Sequence, residues 1–235
     1  MNEVKIQWLG HSCFRMEYRE YPIVIDPYED GYVPGLAPLC TSAGAIYCSH
    51  GHGDHNAAAC VKQIRVKAPN DISVQEFAIP HDHHGGTRRG MNTIRQFRFG
   101  RLRVVHMGDT GCMPDGGTVA ALHACDALLL PIGGYYTVDA EEAFAIAKKI
   151  APRCIVPMHY RGEGFGFDEI GTLDAFTGLF SAADMRFLET DAFTLTAAEP
   201  RRSRPLWTKQ KPCNREVTGF LLKAKTYFNK KCTPH

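Results

Sequence analysis

From Ser49 to Asn56 the chain reads Ser-His-Gly-His-Gly-Asp-His-Asn, with three imidazoles and one carboxylate inside six residues, and no other stretch limits so tightly what the chain can fold into. Side chains two apart on a helix diverge, so His50 and His52 share a target only on extended or looped backbone. Gly51 and Gly53 permit such a loop, and the apolar run Ala45-Ile46-Tyr47-Cys48 leads into it. Neutral imidazole and carboxylate both hold a divalent ion such as zinc, at about 2.0 to 2.2 Å. A solvated loop needs neither this histidine density nor the Asp54-His55 pair, so the stretch points to a metal.

The other chemistry-bearing side chains are expected just past strands as well. Residues 4–9 and 13–18 alternate apolar and polar side chains and are read as strands, joined by the turn Gly10-His11-Ser12. His11 there either reaches the metal loop or bonds only to backbone. Residues 23–25 form a third strand ending at Asp26-Pro27, and residues 28–44, rich in Tyr, Gly and Pro, form a loop over one side of the site. Residues 56–64 have helical composition. Residues 72–79 form a strand that delivers a second cluster, Pro80-His81-Asp82-His83-His84-Gly85-Gly86. Pro80 fixes the backbone best at His81, and His83 is its rival because residues two apart share a face on extended chain. A hairpin of 95–99 and 102–107 leads to Asp109. Beyond it, strands and helices alternate. A strand at 127–130 is buried on both faces, and a helix at 139–150 opens with an Asp139/Glu142 capping box. A strand at 155–158 leads to His159, followed by a helix at 172–180 and short strands at 185–188 and 193–197. Two halves, 1–105 and 106–198, each contribute candidates.

The composition, 44% hydrophobic and 22% charged over 235 residues, is that of an ordinary globular protein. No apolar run approaches the roughly 20 residues that span a bilayer. The first nine residues lack the apolar centre of a secretory signal, so a cytoplasmic location is expected. The nine cysteines include no Cys-x-x-Cys pair, which signals neither a disulfide framework nor a thiolate zinc site. Cys112, soon after Asp109, is read as packing rather than ligating. The net charge of +2 hides an asymmetry: residues 201–235 hold ten Lys or Arg and one acid, a local +9, and the first 200 residues hold 17 bases against 24 acids, −7. The chain therefore divides into a mildly acidic domain, 1–199, and a basic extension, 200–235. In the extension Val217, Phe220, Leu221, Ala224 and Phe228 fall on one face at helical spacing. Such a helix is expected to pack on its own domain or on a second copy, which leaves a homo-oligomer open, with membrane surface or nucleic acid as alternatives.

The pattern His-x-His-x-Asp-His is followed and preceded, in order, by other recognisable pieces: Trp8-Leu9-Gly10-His11, Ile25-Asp26-Pro27, His81-Asp82, Gly108-Asp109-Thr110, Leu130-Pro131-Ile132-Gly133-Gly134 and Pro157-Met158-His159-Tyr160. Together they resemble the metallo-β-lactamase superfamily, and within it the small metal-dependent hydrolases that include sugar lactonases. The resemblance implies an α/β fold, a four-layer αβ/βα sandwich of two mixed sheets flanked by helices, with two divalent ions at the edge between the sheets. It implies His50, His52 and His81 on one ion, Asp54, His55 and His159 on the other, and Asp109 as a bridge. It also suggests that Asp26 lies beneath the loop and orients a ligand histidine. Zinc suits the His-rich set, with manganese or iron as alternatives. Histidine rather than glutamate at 52 is unlike the di-iron oxygen-reducing branch, and aspartate rather than cysteine at 109 is unlike many true β-lactamases.

The chemistry implied is hydrolysis. Two ions about 3.5 to 4 Å apart share a hydroxide and polarise the bond it attacks. Asp54, Asp109 and His11 are the candidate catalytic groups; Arg88, Asn92 and Tyr135, with Arg89 and Tyr136, are the candidate substrate contacts. Guanidinium forks match carboxylate or phosphate, so the expected reaction cleaves an ester-like bond, lactone or phosphodiester, in a small anionic molecule. A nuclease that holds RNA through the basic tail is the second reading. The acidic body opposes it, so no nucleic-acid partner is expected. A non-catalytic metal-binding regulatory or scaffolding protein is the third, opposed by the complete ligand set.

Overall fold

Alternating burial along β1 (Glu3–Gly10) and β2 (Cys13–Tyr18) puts Val4, Ile6, Trp8, Phe14 and Met16 on a buried face, the period of two that their sequence carries. The computed structural model describes residues 2–197, 206–209 and 220–223. After β3 (Tyr21–Ile25), antiparallel to β2, come the two-residue β4 (Ser42–Ala43), β5 (Ala45–Tyr47) parallel to β3, and β6 (Lys62–Gln63) parallel to β4. Antiparallel β7 (Ile72–Pro80), β8 (Met91–Phe99) and β9 (Leu102–His106) follow. Then α1 (Gly116–Leu122), β10 (Ala127–Pro131), α2 (Ala140–Ile150), β11 (Ile155–Met158) and α3 (Leu173–Thr177) alternate, with β9, β10 and β11 parallel. The last strands are β12 (Met185–Phe187), β13 (Ala192–Thr196), β14 (Leu206–Lys209) and β15 (Phe220–Lys223).

Two five-stranded mixed sheets result, ordered β13-β1-β2-β3-β5 and β11-β10-β9-β8-β7. One apolar core joins them, with Ile6, Phe14, Met16 and Ile23 from the first and Ile94, Phe97, Val104, Leu128 and Val156 from the second. Each such side chain contributes about 1.5 to 3 kcal/mol on full burial. Every residue of β10 and β11 is buried, as an unbroken apolar run with both faces covered requires. Helix α2 lies against β10 and buries Ala143, Ile146, Ala147 and Ile150. Its capping box is formed as expected, Asp139 accepting from the Glu142 N–H and Glu142 from the Asp139 N–H.

The chain adopts the expected two-sheet sandwich, with corrections in detail. The helix expected at 56–64 is one 3₁₀ turn, Ala58–Cys60, without a side-chain cap; the chain is extended again at Val61, where pairing of β6 with β4 takes over. Helices are therefore sparse. The halves do not divide at residue 105, because β7 to β9 already belong to the second sheet and β13 returns to the edge of the first, Glu3 opposite Thr196. Helix α1 was not expected. Its Gly116-Gly117 start conceals it, although Asp115 caps it by accepting from the Thr118 N–H at 2.8 Å. In the basic extension, Phe220–Lys223 is not helical but pairs antiparallel with β12 and β14. The run Phe220-Leu221-Leu222 suits a strand as well as a helix, and the rest of the helix expected across 217–228 lies outside the described residues. Among the described residues no helix is long and apolar enough to cross a membrane.

Candidate metal centre

The ends of β1, β3, β5, β7, β9 and β11 deliver their following residues to one place, where rigid strands aim loop side chains. Asp109, 2% exposed, is central. Its Oδ1 lies 3.1 Å from His55 Nε2, and its Oδ2 lies 3.2 Å from His159 Nε2, 3.4 Å from His81 Nε2 and 3.8 Å from His50 Nε2. Asp54 Oδ2 lies 3.2 Å from His11 Nε2, 3.5 Å from His55 Nε2 and 4.0 Å from His159 Nε2. Beside them the rings of His50, His52 and His81 pack with centroids 4.5 to 5.1 Å apart. Donor atoms lie within 4.8 Å of one another in three overlapping groups: His11, Asp54, His55 and His159; His50, His52 and His81; His50, His55 and Asp109. Donors at about 2.0 to 2.1 Å from a tetrahedral ion stand about 3.3 Å apart, the spacing most of these contacts approach.

The donors also fit a metal by what they lack. Nε2 of His50, Nε2 of His55, Nε2 of His159 and Oδ1 of Asp109 are buried without a hydrogen-bond partner among the described residues. Each such group left unpaired costs about 1 to 3 kcal/mol, and here they converge. A divalent ion that accepts nitrogen and carboxylate oxygen is the species that would satisfy them together.

Buried braces hold the donors. Asp26 accepts from the Ser49 N–H at 2.6 Å and from the Ser49 hydroxyl at 2.6 Å, and its Oδ2 lies 2.8 Å from His55 Nδ1. In the neutral form that a metal would require, this favours the proton on Nδ1 and leaves the Nε2 lone pair facing Asp109 and Asp54. His106, which the sequence did not mark, accepts from the Gly108 N–H on Nδ1 at 3.0 Å, so its Nε2–H donates to Ser12 O at 2.9 Å and ties β9 to the His11 turn. Gly108 is at φ +54°, and a Cβ there would meet Asn92 Oδ1 at 2.1 Å, so only glycine fits. Asn92, expected to contact substrate, lies instead behind the cleft. It is 1% exposed, donates to Met107 O at 2.8 Å and accepts from the Asp109 N–H at 3.0 Å, which fixes the Asp109 loop. Asp82 accepts from four backbone N–H groups, those of His84, Gly86, Arg88 and Arg89, at 2.7 to 3.0 Å.

Electrostatics follow from this crowding. Burial opposes ionisation of Asp109, but His159 and His55 outweigh it and hold the carboxyl well below the usual range. Asp54 is lowered likewise, burial being overcome by His55 and by the His11 hydrogen bond. Burial, and then His159, push His11 down to about 4. Burial, and then His55, push His50 down to about 3. His55 itself is desolvated yet raised well above its ordinary value by Asp109, Asp54 and Asp26.

Over the donors opens a cleft of about 360 Å³ lined by Tyr32, His52, Asp54, His81, Arg88, Arg89, Asp109, Tyr136 and Phe167. Tyr32 and Tyr136 meet Phe167 edge-on, with centroids 6.2 and 5.9 Å away. Among the described residues neither Arg88 nor Arg89 is paired with a carboxylate, and Arg89 lies 5.1 Å from the Tyr136 ring centre. Tyr135 does not line the cleft; it is 64% exposed, with its ring centre 5.7 Å from the Arg89 guanidinium carbon. His81 is buried among the donors, whereas its rival His83 is exposed and pairs with Glu142 on α2 at 2.7 Å. Cys112 packs at the core margin, outside the donor groups. Tyr32 and Phe167 had no periodic or motif signal. Ser49 had one, since it opens the histidine run.

A description of the beta-lactamase superfamily domain matches residues 5–159. A Thermoplasma acidophilum protein named UPF0173 metal-dependent hydrolase is 30% identical across 68% of this chain and 84% of its own. Another of that name, from Natranaerobius thermophilus, is 27% identical across 67% of this chain and 83% of its own. Among solved structures, the chain is similar to a protein of Thermotoga maritima, provisionally described as a zinc-dependent hydrolase of the metallo-β-lactamase superfamily. The TM-score is 0.60 at 28% identity, covering 76% of this chain and 87% of that one.

Proposed function

The chain belongs to the metallo-β-lactamase superfamily and is a metal-dependent hydrolase, and on that premise we propose that it cleaves an ester-like bond, in a lactone or a phosphodiester, of a small anionic substrate. The observation that carries this reading is the convergence of buried, unpartnered donor atoms beneath a cleft that holds two guanidinium groups without carboxylate partners.

His50, His52 and His81 would hold one divalent ion and Asp54, His55 and His159 a second, with Asp109 between them; the nitrogen-rich set suits zinc. Bound there, such ions would acidify water and polarise the oxygen of the bond under attack. The chain supplies the rest. Asp26 favours the Nδ1 proton of neutral His55 and leaves Nε2 free, and Asn92 with Gly108 sets the height of the Asp109 carboxylate. Asp82 fixes the backbone that carries Arg88 and Arg89, whose forks match a carboxylate or phosphate on the substrate. Tyr32, Tyr136 and Phe167 give the carbon skeleton an apolar wall and exclude bulk water.

Purification without chelators is expected to give about two ions per chain, since the donors exceed what one tetrahedral ion takes. Zinc-, manganese- or iron-reloaded protein is then tested on phosphodiesters, which are anionic, and on lactones and carboxylic esters with and without a negative group. Turnover should require the metal and favour the anionic lactones or phosphodiesters. Arg89→Ala should lower kcat/KM on them by about 10- to 100-fold, the weight of a charge-assisted hydrogen bond or two. A metal-loaded protein that turns over none of the panel, or only its neutral members, overturns the reading.

A further inference from the structure

We propose that His11 is itself a metal ligand, a further protein donor to the inner ion position of Asp54, His55 and His159, and that the two positions are consequently unequal in donor number. This rests on reading the cluster as a metal centre. The ligand set implied by family resemblance leaves His11 out, and a turn histidine can be explained by backbone bonding alone.

That bland explanation fails on the ring's surroundings. The side chain of His11 has no exposed surface, its Nδ1 is buried without a partner, and its Nε2 faces Asp54 Oδ2 at 3.2 Å. No backbone group satisfies either nitrogen among the described residues; the backbone carbonyl of His11, by contrast, accepts from Trp8 Nε1 at 2.9 Å. The ring centre lies 4.0 Å from that of His159 and 5.5 Å from that of His55, directly beside the Asp54, His55 and His159 group. Around Asp54 Oδ2 the three Nε2 atoms stand at 3.2, 3.5 and 4.0 Å, close to the roughly 3.3 Å between donors on one tetrahedral ion. All four residues are buried.

The outer group differs in kind. Apart from Asp109, which both positions would share, His50, His52 and His81 are three donors against the inner four; His52 is exposed, and His52 and His81 line the cleft beside Arg88 and Arg89, as Asp54 and Asp109 also do. A position with fewer protein donors more readily keeps a place for water or substrate. The more open position therefore belongs to the outer ion.

The rival role for His11 is to orient Asp54 by a hydrogen bond. Zinc-loaded wild-type crystals measured for anomalous scattering should place an ion about 2.0 to 2.1 Å from a His11 ring nitrogen. An ion on Asp54, His55 and His159 with His11 beyond bonding distance overturns the inference alone, and no ion anywhere in the cluster removes the metal reading itself. In solution, His11→Gln retains a donor for Asp54 but ligates poorly. It should weaken the inner ion by more than the about 10- to 100-fold that losing an orienting partner costs. A loss within that range, or none, assigns His11 to orientation and overturns the proposal. Folded, cobalt-loaded His11→Cys should gain a thiolate-to-cobalt charge-transfer absorption that wild type lacks; its absence also overturns the proposal.

Discussion

Asp26 sits at φ +51° with no exposed surface, and the same left-handed backbone recurs at His11 and His159. A non-glycine residue there costs about 1 to 2 kcal/mol, so these conformations persist because the surrounding hydrogen bonds impose them. Asp26→Ala would release Ser49 and His55 together. Metal affinity should fall by about 10- to 100-fold, the usual effect of losing a histidine's orienting partner, read by competition with a chromogenic chelator; unchanged affinity would refute the bracing role. The titration of the cluster gives a second expectation. His11 and His50 are held near 4 and 3, and His81 and His106 are lowered too, while in the unfolded chain each would titrate near 6.5. Below that value the unfolded state binds more protons, so stability rises with pH across this range. The raised His55 acts in the opposite sense but is one group against four. The urea midpoint of metal-free protein should therefore fall steadily from pH 7 to pH 4.5, and a flat profile would contradict it. At this scale the direction of a side chain was readable where covalent neighbours constrained it, as Pro80 did for His81, which is buried beside His50 and His52 while His83 is exposed. It was not readable for Asn92, because an amide in a loop looks the same whether it meets substrate or clamps the Asp109 backbone.

Helix α2 shows what an element can reveal in advance. Its apolar stripe, its Asp139/Glu142 box and its closing Lys148 and Lys149 were all local signals, and the structure holds the helix at Ala140–Ile150. Asp139→Ala should cost about 1 kcal/mol through the lost cap, seen as a lower urea midpoint with metal content unchanged; lost metal would tie the helix to the site. Helix α1 and the single turn at Ala58–Cys60 were misread for opposite reasons. Two glycines disguised a capped helix in one, and alanines suggested a helix where pairing with Ser42–Ala43 draws the chain straight in the other. Strands buried on one face announced themselves by alternation. The partner of β1 on its outer side could not be foreseen, because no local pattern in residues 192–196 names the strand they will join.

Across the whole molecule the donors lie between His11 and His159, and both five-stranded sheets are complete by Thr196. Removing residues 201–235 should therefore leave metal content unchanged, measured by elemental analysis of the truncated chain; a folded truncation without metal would show that the extension shapes the centre. The return of β13 to β1 has a further effect, on time rather than on shape. Gln7 pairs with Arg15 almost at once, but its other neighbour, Ala192, is made only after the entire second sheet. Loop closure over such a separation is slow relative to hairpin formation. During synthesis β1 thus waits as an unpaired edge, the kind of surface on which nascent chains associate. The docking of five late residues is the event that ends that exposure.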